Sequence, residues 1–313
     1  MRFVCAQPAI PYYVWQVEVM IQNFMALGVN PNNIDIVCYK KEGVIPESWS
    51  QLANKYPARF LFYNDQRESW HYTSSIRPNI LKQHWQRFPE LANEVIFYHD
   101  CDIIFTKRPD RWITPEMLTD DNWYGSDTQF YISHDYILSK GVDILDKMCD
   151  IVGIDKQLVK DNELNCIGAQ YLMKNIDYQF WADVERDCEK LFKDITDINN
   201  QKKAIEPSYH ELQIWCSDMW SVLWNGWKRG NKTIVHDNFR FSWGTSSEED
   251  FYALNIFHNA GVTDNKELFF KCDYMNCLPY NLSLDIKDRT ASKKYYQWIQ
   301  ESGKKSAILS SHG

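Results

Sequence analysis

Over its first hundred residues the chain keeps switching between the two-residue hydrophobic period of a strand and the longer period of a helix. No other feature of the sequence limits its fold as much. RFVCAQPAI reads as a strand, and YYVWQVEVMIQNFMALG follows as an amphipathic helix with Val14, Val17, Ile21, Phe24 and Met25 at helical spacing and Gly28 near its end. NIDIVCYKK and RFLFYND are two further strands, separated by the helical pattern SWSQLANKYPA. Such alternation predicts α/β architecture around a parallel, doubly wound sheet. Sheets of that kind gather their ligands at the carboxyl ends of the strands.

The next strand-like run, EVIFYHDCDIIFTKRP, carries Asp100 and Asp102 between Val95, Ile96, Phe97 and Ile103, Ile104, Phe105. Carboxylates in so apolar a run are costly unless a positive group meets them. Residues i and i+2 of a strand share a face, and like charges that close repel unless a proton or a cation sits between them. A pair of oxygen ligands suits Mg²⁺ or Mn²⁺, the cations that also bind phosphates. An isolated Asp-x-Asp is equally a solvated turn, but its place late in an apolar strand favours an ion site. His99 and Cys101 alternate with the acids and are expected to pack away from the ion.

Beyond Asn122 the periods are less regular. NWYGSDTQFYIS and CIGAQYLMKN read as extended, whereas GVDILDKMCDIVG, YQFWADVERDCEKLFKDI and HELQIWCSDMWSVLWNGWKRG read as helices. There is no repeat and no low-complexity linker. A chain of 313 residues fits one large domain, and the organisation expected is residues 1–265 as the main body and 266–313 as a basic, aromatic extension near the acceptor side with a frayed tail. The nine cysteines are scattered singly, without a zinc or CxxC spacing, and are expected to be reduced and buried. Neither a signal peptide nor a membrane span is visible, so a cytoplasmic location is expected. A net charge of -8 argues against a protein that binds nucleic acid through overall basicity.

The stretch TSSIRPNILKQHWQRFPELANEVIFYHDCDIIFTKRP resembles the segment of GT-A glycosyltransferases in which a helix with an early basic residue leads into a strand ending in Asp-x-Asp. It is similar in particular to plant hydroxyproline arabinosyltransferases and peptidyl-serine galactosyltransferases, and to the retaining group containing glycogenin. The resemblance implies a GT-A, Rossmann-like nucleotide-sugar-binding fold with a mixed, mostly parallel central sheet. It also implies Asp100 at the donor, and Asp100 and Asp102 as metal ligands completed by His258 in NIFHNAGV. Gln7 and Pro8 of CAQP lie where such enzymes hold the nucleoside, although a strand-end turn is the plain alternative. Arg77, before Pro78, matches a residue that reaches the donor diphosphate or sugar, and is otherwise a helix-surface arginine. Asp218 matches an acidic residue on the reacting side of the sugar, and is otherwise a helix-face carboxylate. Relatives carry Asp-Gln-Asp where this chain has Cys216-Ser217-Asp218, and IGAQYLM replaces an Asn/Gly-rich strand. Asp127 and Gln170 are the acceptor contacts expected.

The function expected is therefore metal-dependent, retaining transfer of arabinose, galactose or glucose from a UDP-sugar, with Mn²⁺ or Mg²⁺, to a hydroxyl. Two basic, aromatic stretches, GWKRGNKTIVH and KDRTASKKYYQWIQ, suggest a phosphate backbone and a stacked base. They raise hydroxymethylated cytosine in phage DNA as the acceptor. A saccharide, lipid-linked glycan or peptide hydroxyl is the competing acceptor. A non-catalytic nucleotide-sugar or glycan-binding module and a nucleotidyltransferase are the competing classes.

Overall fold

The structure, a computed structural model, describes residues 1–264 and 266–310, the last four of these in backbone alone. Of the frayed tail expected at the C-terminus, residues 311–313 lie outside the described residues. Ten strands occur among the described residues: β1 (Arg2–Pro8), β2 (Ile34–Tyr39), β3 (Arg59–Tyr63), β4 (Ile96–Tyr98), β5 (Ile103–Phe105), β6 (Trp123–Asp127), β7 (Ile167–Met173), β8 (Thr233–Val235), β9 (Phe241–Trp243) and β10 (Ile256–His258). They form a seven-stranded sheet of order β3-β2-β1-β4-β7-β6-β8 and a three-stranded sheet of order β5-β10-β9. β1 pairs parallel with β2, β2 with β3 and β6 with β8, while β6 and β7 run antiparallel. The fold is thus α/β, as the alternating pattern predicts, with the mixed, mostly parallel sheet that the resemblance implies. No helix among the described residues is long and apolar enough to cross a membrane.

The chain divides into two compact units. The first comprises Met1–Asn64, Tyr98–Leu118 and Asp237–Gly313. Its helix Pro11–Ala26 departs from the one-sided pattern expected, because Gln16, Glu18, Gln22 and Asn23 are buried along with the apolar stripe, and Met25 is exposed. The reason is a second cover. Trp15 and Val19 pack with Phe257, Phe269, Tyr274, Tyr295 and Ile299, most of them from the C-terminal part of the chain. Buried polar groups need partners, and each of these side chains has at least one, although Gln22 Oε1 has none among the described residues. Asn23 donates to Phe105 O (3.0 Å) and accepts from Phe105 N (2.8 Å), standing in for a strand neighbour of β5. Glu18 accepts from Lys55 Nζ (2.8 Å) and Tyr56 Oη (2.9 Å), and also from Tyr280 Oη and Ser306 Oγ. A second buried carboxylate, Asp35 of β2, is held bidentately by Arg59 of β3 (2.6 and 2.5 Å).

Two sequence expectations fail here. The run 94–109 is not one strand: β4 ends at Tyr98, a turn carries Asp100 and Asp102, and β5 begins at Ile103 in the other sheet. Leaving the ladder frees both carboxylates to meet positive partners that a sheet interior cannot offer. The thiols are buried except Cys272 and Cys277, which are exposed.

The second unit comprises Asp65–Phe97 and Thr119–His236. Its long helix Tyr178–Ile205 starts where Asp177 accepts from Phe180 N (2.8 Å), an N-cap. Trp85 and Trp181 lie 5.5 Å apart, Trp123 and Phe180 5.6 Å. Gly226 lies against the Trp123 ring, where a Cβ would come within 2.7 Å. Extended structure expected through Ser133 stops at Asp127, whose side chain accepts from Gln129 N and starts a helical turn. The helix expected over 210–230 begins only at Ser217.

Removing one partner from a buried charged cluster leaves the others unpaired. Glu18→Ala is therefore expected to lower unfolding stability by about 3 kcal/mol in a denaturant titration, and Tyr280→Phe by about 1 kcal/mol. A Glu18→Ala loss below that of Tyr280→Phe contradicts this account.

Candidate active site

Strand register delivers the first cluster, which lies in the first unit. β10 runs antiparallel to β5 and pairs His258 with Ile103, the residue after Asp102. Asn259 N donates to Asp102 O (3.0 Å), extending that pairing by one step. His258 Nε2 lies 3.3 Å from Asp102 Oδ1 and 3.6 Å from Asp100 Oδ2. Its ring is fixed beside Phe241 (centroids 5.4 Å) and stacked on Trp243 (6.3 Å, 11°). One atom from each of Asp100, Asp102 and His258 lies within 4.8 Å of the others. Two carboxylates and an imidazole suit Mn²⁺ well. Separations of this size fit ligand atoms bound at about 2.1 Å to a common ion.

Lys271 was not foreseen from the sequence. Its Nζ pairs with Asp102 Oδ2 from the short helical turn Lys271–Tyr274. Burial works against the charged form of Asp102, but Lys271 and His258 beside it hold the carboxyl far below its usual range. Burial likewise works against the Lys271 ammonium, yet the Asp102 charge keeps its pKa raised. His99 and Cys101 are buried, as expected. Burial pushes His99 down to about 4, which keeps the imidazole neutral, and its Nδ1 lies 2.8 Å from Asp100 O. Tyr12, in the first turn after β1, is raised well above the phenol range by burial and by the Asp102 charge.

Gln7 and Pro8 close β1. Gln7 is buried and donates to Val37 O and Cys38 Sγ, both at 3.3 Å. Its Oε1 has no hydrogen-bond partner among the described residues, an acceptor left unused.

The second cluster lies in the second unit. Arg77 sits in the first turn of the helix Ile76–Arg87, with Nη1 3.8 Å from Asp218 Oδ2. Tyr72 Oη lies 2.7 Å from Asp218 Oδ1 and 2.6 Å from Trp215 O, and can give its proton to either. Tyr72 is fixed in turn by Glu189, which accepts from Ser69 Oγ (2.9 Å), His71 N (2.8 Å) and Ser75 Oγ. Neither Tyr72 nor Glu189 is apparent from the sequence, since one reads as a loop aromatic and the other as a helix-face acid. Gln170 is fully buried and accepts from Ser126 Oγ (2.9 Å) across a register shift between Gly125 and Ser126. Beside it Ala169 takes φ 63°, a left-handed conformation unusual for an L residue. Asp127 is exposed.

Most basic groups of the stretches singled out in the sequence are already paired, with Lys232 exposed. Tyr295, Tyr296 and Ile299 are core residues. Lys294 pairs with Glu248 (2.8 Å), Arg289 with Glu249 (2.5 Å) and Lys287 with Glu267 (2.7 Å). Arg229 pairs with Asp177 (2.7 Å), and Lys228 donates to Val152 O (2.8 Å).

No family model matches the sequence, and no curated protein matches it. Solved structures to which the fold is similar are glycosyltransferases. The bifunctional glycosyltransferase WbbM is 9% identical at a TM-score of 0.46, over 95% of this chain and 51% of that one. The galactosyltransferase LgtC, in complex with donor and acceptor sugar analogues, is 12% identical at 0.42, over 96% of both chains. GlyE of Streptococcus pneumoniae is 13% identical at 0.43, over 99% of this chain and 62% of that one. This chain thus spans about half of the first and under two thirds of the third. The functional assignment rests on this chain's own residues.

Asp102→Asn and His258→Ala are each expected to weaken Mn²⁺ binding by about 100-fold, read by electron paramagnetic resonance. Asp146→Asn, an exposed carboxylate elsewhere, is the unchanged control. Equal Mn²⁺ affinity in all three proteins would refute the cluster as a metal site.

Proposed function

We propose that this protein transfers a pentosyl or hexosyl residue (arabinose, galactose or glucose) from a UDP-sugar to a hydroxyl group, with Mn²⁺ or Mg²⁺ held by Asp100, Asp102 and His258. The observation that carries the proposal is the convergence of those three ligand atoms, from segments far apart in sequence, within 4.8 Å. A divalent cation held there would neutralise the negative charge that collects on the diphosphate as the glycosidic bond breaks.

The chain's own groups are assigned as follows. Asp100 and Asp102 hold position because the turn between β4 and β5 is anchored by Asn259 N. Lys271 supplies a second positive charge beside Asp102 and so favours an anionic leaving group. This draws the segment after residue 265 into substrate binding. The unused acceptor Gln7 Oε1 suits an imide N–H such as that of uracil, with Pro8 adjacent. Asp218 is assigned to the anomeric side of the sugar, where a carboxylate stabilises or attacks the developing oxocarbenium ion, the outcome being retention. Tyr72 orients Asp218 by hydrogen bond, and Arg77 is assigned to the donor. Asp127 and Gln170 are assigned to the acceptor side, Gln170 through the strand that carries it.

A DNA acceptor loses most of the features that suggested it, because most of the basic and aromatic residues concerned are paired or packed. A small hydroxyl-bearing acceptor is the preferred assignment.

UDP release from UDP-galactose, UDP-glucose and UDP-arabinose with Mn²⁺ tests the proposal. Turnover is expected with one donor, lost on adding a chelator and restored by Mn²⁺. Asp218→Asn should lower kcat by roughly 10²- to 10³-fold while leaving UDP–Mn²⁺ affinity unchanged. UDP–Mn²⁺ binding without release from any donor would make the chain a nucleotide-sugar-binding module instead.

A further inference from the structure

The second unit carries a set of aromatic faces that its core does not use. Phe130 is 71% exposed and Trp215 61% exposed, although both lie on short, well-anchored elements. Phe130 sits in the helical turn Gln129–Ile132, whose entry is pinned by Thr128 N and Oγ1 donating to Cys166 O. Trp215 lies in the turn Ile214–Cys216, its carbonyl 2.6 Å from Tyr72 Oη. Tyr131 joins them, edge-on to Phe130 (4.6 Å, 63°) and stacked with Trp215 (6.4 Å, 16°). Large aromatic rings held rigid in water are a cost the fold does not need.

Beside these rings lies an open hollow of about 420 Å³, lined by Asp127, Gln129, Phe130, Asp135, Tyr136 and Glu163. Its polar groups are ordered: Gln129 Nε2 donates to Glu163 Oε1 (3.4 Å), and Asp135 N to Glu163 Oε2 (3.2 Å). The patch is continuous with the assigned reaction centre of the same unit, since Trp215 precedes Asp218 by one helical turn and Tyr72 Oη contacts both. Three carboxylates at the rim repel a phosphate backbone, while they accept readily from hydroxyls. Flat apolar faces beside hydroxyl-binding carboxylates match a neutral pyranose, which has an apolar C–H face and a hydroxyl edge.

We propose that the Phe130–Tyr131–Trp215 platform and the adjoining hollow bind a neutral saccharide, the acceptor of the transfer reaction. The identification as acceptor rests on the glycosyltransferase assignment, but saccharide binding by the platform does not.

Among the described tryptophans only Trp70 and Trp215 are exposed, so the Trp215 indole N–H is a usable NMR reporter, assigned through Trp215→Phe. Maltose, lactose and cellobiose are titrated without donor or metal. At least one is expected to shift the Trp215 signal at millimolar concentration, with about fivefold or greater weakening in Phe130→Ala. Sedimentation and UDP–Mn²⁺ affinity should be unchanged in Phe130→Ala and Trp215→Ala. The proposal is overturned if none of the three sugars moves the signal. It is also overturned if an unmodified DNA oligonucleotide moves it instead, or if either alanine variant converts a dimer to a monomer, which would make the patch an interface between copies. UDP–Mn²⁺ binding with no saccharide shift sinks the platform alone. A saccharide shift with no UDP–Mn²⁺ binding sinks the donor assignment alone.

Discussion

Two carboxylates one residue apart in an apolar run set the terms for the first unit. Inside a ladder they would be pressed together without counter-charge, at a cost of several kcal/mol. The chain avoids this by leaving one sheet after Tyr98 and entering the other at Ile103, so that both acids sit in the crossing. The second sheet then pairs β10 against β5 and sets His258 beside them. Positive charge from Lys271 completes the balance. The small sheet is thus the device that brings an imidazole to two acids the main sheet could not hold.

The helix Pro11–Ala26 shows a parallel economy. It is covered by the sheet on one side and by the C-terminal part of the chain on the other, so its polar residues serve as internal connectors. Asn23 completes β5, Gln22 donates to Tyr56 Oη (2.7 Å) and Ser302 O (3.3 Å), and Glu18 gathers four donors. The residues after 265 therefore contribute both core and, through Lys271, a positive charge beside Asp102.

Much of this was legible in the sequence because it depends on local period. The β1-helix-β2-helix-β3 alternation, the apolar strand before His258 and the helix over 178–195 all stand out as patterns, although that helix runs on to Ile205. The acidic pair was visible as chemistry, but the break in its strand was not, because flanking β-branched residues favour strand on both sides and nothing local marks the change of sheet. Lys271 lies in KELFFKCDYMN, where no spacing separates a site lysine from a surface one. Tyr295 and Tyr296 looked like a stacking surface because their burial comes from a helix near the other end of the chain. Glu189 was unreadable for the same reason: its partners are backbone and hydroxyl groups of a distant loop.

Because His258 is delivered by strand pairing, its position depends on the residue count of β10 itself. The helix Glu248–Ala253, with Phe251 buried in the core, fills most of the connection from β9, which leaves the turn at 244–246 as the place where an added residue disturbs least. One added between Ile256 and His258 rotates the imidazole to the opposite side of the small sheet. Homologous sequences should therefore show length changes, if any, in that turn and none between Asn255 and the histidine.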